Sequence, residues 1–77
     1  MKRAQHRIDV RADPFWPVEI RSGERTFTVR AVLDHWVVES RWLTGGRRRL
    51  YFRVLTEEGP FEICREASGW VLCKRYD

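Results

Sequence analysis

Three turn signatures recur between Arg21 and Trp70: Ser22-Gly23-Glu24-Arg25, Thr56-Glu57-Glu58-Gly59 and Glu66-Ala67-Ser68-Gly69. Each lies between short segments in which apolar and polar residues alternate, the period of a strand that buries one face and wets the other. Hairpins spaced this closely in a chain of 77 residues leave no room for a helix, so the sequence predicts a small antiparallel β fold.

The same alternation predicts registers. A two-residue loop at Gly23-Glu24 sets Ile20 against Phe27 and Val18 against Val29, so that turn and apolar pattern select one pairing. A four-residue loop ending in Gly59 sets Val54 against Phe61 and Phe52 against Ile63, and a second ending in Gly69 sets Ile63 against Leu72. Upstream, Ile8, Val10 and Ala12 alternate with charged neighbours in a first strand that stops at Asp13-Pro14, where proline removes a ladder donor. Pro14-Phe15-Trp16-Pro17 reads as a rigid apolar corner. Residues 1–5 carry no pattern and read as a disordered terminus ahead of a single β domain over 6–77.

The strand from Arg25 to about Glu39 changes phase. Phe27, Val29, Ala31 and Leu33 mark a core face on odd positions, whereas Trp36 and Val38 lie on even ones. Such a switch predicts a β-bulge, placed near Leu33 to His35, with Asp34 capping nearby backbone amides. Ser40 to Arg49 is then a connection, with Trp42 and Leu43 folding back and Gly45-Gly46 turning. The fold class is all-β: a five- or six-stranded antiparallel meander that closes into a small barrel or bends strongly, since closure removes exposed edges.

A chain this short hides only about 60–65 per cent of the surface its unfolded form exposes, so its core must be dense. Four Trp, four Phe and two Tyr supply that density, with Trp36 and Trp70 expected inside and Trp16 and Trp42 partly exposed. Charged residues, 34% of the chain, interrupt every apolar run before bilayer length, so no membrane role is expected. The basic start is followed by no apolar stretch of signal-peptide length, which predicts a cytoplasmic protein with reduced thiols. In the register above Cys64 faces Val71 and Cys73 faces Glu62, a diagonal relation at the limit of disulfide reach.

Catalytic and metal chemistry find no footing. Asp34, His35 and Glu39 do not converge on a strand, and no serine or cysteine is placed to be activated. His6, His35, Cys64 and Cys73 lack ligand spacing, so neither a metal nor another cofactor is expected, and the chain reads as non-enzymatic. What remains is a surface. Lys and Arg exceed Asp and Glu by 15 to 11, and 13 of those 15 cations are Arg, the residue suited to bidentate contacts with phosphate or carboxylate. Arg47-Arg48-Arg49, followed by Tyr51 and Arg53, reads in two ways: as a solvated loop entering a strand whose wet face carries arginines, or as a basic finger that meets phosphate while Tyr51, Trp42 and Trp16 supply exposed rings. The same residues equally describe the anchors and rim of a protein-binding surface in a monomer or weak dimer, so exposure of aromatics does not separate the two partners.

The segments Val32-Leu33-Asp34-His35-Trp36, Trp42, Arg49-Leu50-Tyr51-Phe52-Arg53-Val54 and Gly69-Trp70-Val71-Leu72, with Arg75-Tyr76-Asp77, resemble an uncharacterised bacterial domain family over about Ile8 to the end. That family occurs as a stand-alone protein, and also near the C-terminus of, or encoded beside, inactive Y-family polymerase-like proteins of mutagenic DNA repair. It brings no assigned catalytic or ligand residues. The resemblance implies a binding module in bacterial DNA repair, with non-specific nucleic acid or a repair-associated protein as partner.

Overall fold

Each turn signature closes on two central residues, with Ser22 opposite Arg25, Thr56 opposite Gly59 and Glu66 opposite Gly69. Gly23 sits at φ 62°, the left-handed region that side chains resist, and Gly59 at φ 105°, where a Cβ would also lie 3.3 Å from the Tyr76 carbonyl oxygen. The computed structural model describes the backbone of residues 2–40 and 47–76, and side chains over 7–39 and 48–76. Six strands follow in chain order: β1 (Lys2–Ala12), β2 (Pro17–Ser22), β3 (Arg25–Ser40), β4 (Arg47–Thr56), β5 (Gly59–Glu66) and β6 (Gly69–Arg75). Every neighbour is antiparallel, and β1 pairs with β6 to close the meander into a barrel. The expected pairs Ile20 with Phe27, Val54 with Phe61, Phe52 with Ile63 and Ile63 with Leu72 form, whereas the expected pair of Val18 with Val29 does not, because the β2–β3 ladder ends at Glu19 opposite Thr28.

Inside the barrel lie Ile8, Ile20, Phe27, Phe52, Val54, Phe61, Ile63 and Leu72, with Val10, Val29, Val32, Leu50 and Trp70 packed against them. Phe27 and Phe61 meet edge to face at 4.9 Å. At one end, Arg25 and Arg75 hold their guanidinium groups over the Phe27 ring and both pair with Glu58, so charged side chains cover apolar rings. At the other end the corner before β2, with its cis Asp13–Pro14 bond, sets Phe15 against Phe52 at 5.4 Å.

Three further expectations about the strands need correction. Residues 2–5 are strand, because closure offers them the edge of β6: Lys2 lies opposite Arg75 and Arg3 opposite Lys74. Along β3 there are two bulges rather than one, with Arg30 and Leu33 as the extra residues. Each bulge shifts the alternation by one position, so the second undoes the first. Val32, not Leu33, packs on the core, while Leu33 is 51% exposed and Trp36 faces outward opposite Tyr51. The third concerns β6, where Cys73 is itself an extra residue and Lys74, rather than Cys73, stands opposite Glu62. Asp34 does cap the bulge as expected, its Oδ1 accepting the His35 amide at 2.9 Å.

Candidate nucleic-acid interface

The outward face of β3, β4 and β5 is built from two adjoining cross-strand rows. One runs Trp36, Tyr51, Cys64, Val71; the next runs Asp34, Arg53, Glu62, Lys74. Because residues directly opposite on one face stand about 4.5–5.5 Å apart, flat side chains in such a row stack. Trp36 and Tyr51 do so, with ring centroids 5.4 Å apart and planes 2° from parallel. The Arg53 guanidinium lies between two rings, 5.7 Å from the Trp36 centroid and 5.6 Å from that of Tyr76. Its buried Nε has no hydrogen-bond partner. Tyr76 is anchored in turn, its hydroxyl donating to Oε1 of the buried Glu62 at 3.3 Å.

Arg49 extends the face along β4. Its Nε approaches Glu66 Oε2 at 3.2 Å, and its hydrogen bond with Tyr51, followed by the charge of Glu66, raises its pKa. Burial, the largest influence on Tyr51, holds that phenol protonated to higher pH than usual. Cys64, only 2% exposed although on the outward side, hydrogen-bonds with Cys73. That bond first, and burial second, keep the Cys64 thiol protonated far above the ordinary thiol range, while the same bond lowers Cys73. Both cysteines are free.

At the end of the face β4 runs on beyond its last pairing with β5, leaving a notch beside the β5–β6 turn. A cleft of about 540 Å³ occupies it, lined by Arg7, Arg48, Arg49, Glu66, Ala67 and Ser68. Arg7 donates to Ser68 Oγ at 3.0 Å and Arg48 to Glu39 Oε1 at 3.0 Å, so these guanidinium groups are oriented at the rim. Three cations against two carboxylates, Glu66 in the lining and Glu39 on Arg48, leave this notch with a net positive charge that favours an anion.

Arg47 to Arg49, expected in the connection as a basic finger, are instead the first residues of β4, paired with Ser40 to Val38 of β3. The structure joins Arg49, Tyr51 and Arg53 on one face and brings Arg48 to its edge. Trp42, and the side chain of Arg47, lie outside the described residues. Trp16 belongs elsewhere: it is 41% exposed and meets His35 edge to face at 4.9 Å, over the barrel interior. Two members of the face, Trp36 and Tyr76, and the notch residue Arg7 were not among the binding residues expected from sequence, which places Trp36 in the core. Asp34 and His35 point to opposite sides, one in the row with Arg53 and the other stacked on Phe52. Among the described residues no group of three His, Cys, Asp or Glu side chains stands ready to hold a metal. No protein family, curated protein or solved structure matches the chain.

Proposed function

We propose that this barrel is a non-enzymatic module of bacterial DNA metabolism that binds single-stranded nucleic acid, without sequence preference, on the outer face of β3 and β4. The observation that carries this reading is the row in which Trp36 stacks on Tyr51 and Arg53 is sandwiched between Trp36 and Tyr76. Rings held by their neighbours offer a preformed surface to bases, each stack contributing about 1–3 kcal/mol, and every base has such a face. Guanidinium groups beside them meet phosphate oxygens, and the notch at Arg7, Arg48 and Arg49 receives the backbone where it leaves the platform. The resemblance of the Arg49–Val54 and Gly69–Leu72 segments to the repair-associated domain supports the setting.

Anisotropy of a labelled oligodeoxynucleotide, titrated with the full chain at low salt, tests the proposal. Binding is expected to weaken as salt rises, with a logarithmic slope of about −0.7 per phosphate engaged on a single strand. Trp36→Ala and Arg53→Ala are each expected to weaken it about 5- to 100-fold, whereas Arg21→Ala on β2 leaves it unchanged. Absence of association with single- and double-stranded DNA at low salt sinks the proposal. A second reading, a module that pairs with a protein chain, is favoured by one separate observation, the edge of β3 beyond Thr28, which no strand covers among the described residues.

A further inference from the structure

β2 pairs with β3 only as far as Thr28. From Val29 to Ser40, β3 pairs with β4 on one side, and among the described residues no strand covers its other edge. An uncovered edge is a template for another strand unless something blunts it. The first part is blunted, by the bulges at Arg30 and Leu33 and by the Asp34 carboxylate on the His35 amide. Trp36 to Glu39 has no bulge, proline or lysine, and both faces are wet there: Val37 is 51% and Val38 43% exposed.

We infer that this edge pairs with the same edge of a second copy of the chain, antiparallel, about a two-fold axis through Val37. The segment is its own complement in that register. Val37 meets Val37 of the other copy, Trp36 meets Val38, and His35 meets Glu39, so apolar groups face apolar groups and an imidazole faces a carboxylate. Residues 31–40 contain neither Lys nor Arg, so two chains of net charge +4 approach along a strand without cations. Glu39 already pairs with Arg48 at 3.0 Å, which holds its carboxylate in place at the edge. The paired stretch is short against the roughly 800 Å² per partner of a standard interface, so the dimer belongs with weak, transient assemblies and is sought at protein concentrations of about 10–100 µM and above. The dimer shares Trp36 with the platform but uses neither Arg49 nor Arg53, and the self-complementary edge stands whether or not the platform binds nucleic acid.

Sedimentation equilibrium of the full chain across that range reads the prediction. The apparent mass is expected to climb from 9.3 kDa toward twice that value. Val37→Asp, which sets two carboxylates face to face on the axis, is expected to weaken association at least about tenfold with an unchanged far-ultraviolet spectrum. A wild-type chain that stays at monomer mass throughout overturns the inference, and so does a folded Val37→Asp variant that dimerises as before. A second measurement fixes the register. In a Cys64→Ser, Cys73→Ser background, Val37→Cys places two Cα atoms about 4.5–5.5 Å apart across the axis, within disulfide reach. Oxidised glutathione then joins the two thiols, itself taking up both hydrogens as two reduced glutathiones. Val38→Cys, which faces Trp36 of the other copy, is expected to cross-link more slowly, and the opposite ranking overturns the axis.

Discussion

Cys64 and Cys73 illustrate how two like residues acquire different chemistry from a single bond. The hydrogen bond between them lowers Cys73 and raises Cys64, and burial raises Cys64 further. Since thiolate, not thiol, attacks alkylating reagents, iodoacetamide at neutral pH is expected to label Cys73 first, with Cys64 reacting only on unfolding. Peptide mass spectrometry after timed quenching checks the order, and equal labelling of both would refute it. The stability consequence has a definite sign. Cys64 is an acid whose folded pKa lies above its unfolded value, so its contribution is complete below the ordinary thiol pKa and falls as pH rises beyond it. Tyr51, also raised, adds loss in the same direction above its ordinary value of 10.0. Cys73 opposes both, its contribution being lost as pH falls.

β3 is the element whose sequence and structure part company. Its two bulges are three residues apart, and their effects on side-chain direction cancel beyond Asp34. Leu33→Ser is therefore expected to change stability by no more than about 0.5 kcal/mol, whereas Val32→Ser, which strips a side chain from the core, costs about 1–3 kcal/mol. Urea denaturation of the two variants separates them, and a larger loss at Leu33 would contradict the register. The hairpins were readable because turn chemistry and apolar alternation act locally and agree, as at Ile20 with Phe27 and at Val54 with Phe61. A pair of bulges leaves no such local mark. Counting only one phase change sends Trp36 inward, and with it goes the ring that completes the platform. Arg49, Tyr51 and Arg53 were legible as alternate positions on one strand; Arg7 was not, because barrel closure brings it to the notch, and Tyr76 was not, because it lies past the end of β6, where its amide donates to the Pro60 carbonyl.

At the scale of the molecule, closure is what converts a ribbon of hairpins into a core. Pairing of β1 with β6, the contact of longest sequence separation, supplies the last side of the shell, and such non-local joins make all-β domains comparatively slow to fold. Apolar rings fill the middle, arginines lie over the rings at one end, and the corner at Phe15 and Trp16 covers part of the other. The outer face is thus free of any duty to the core except through Glu62 and Cys64, the buried members of its two rows.

The seam between β1 and β6 has a practical corollary. Lys2 stands opposite Arg75, so the chain enters and leaves the barrel at one place, and the turn at Gly23 is open, with no atom within 4 Å of where a Cβ would stand. Linking the two ends by a few glycines and cutting between Gly23 and Glu24 is expected to yield a circular permutant with the parent spectrum and a melting temperature within about 10 °C of it. A molten or insoluble permutant would show that the seam is too weak to serve as a hinge pin. If it holds, the barrel is a cassette: a host protein can carry it within a surface loop and leave the host's own fold undisturbed.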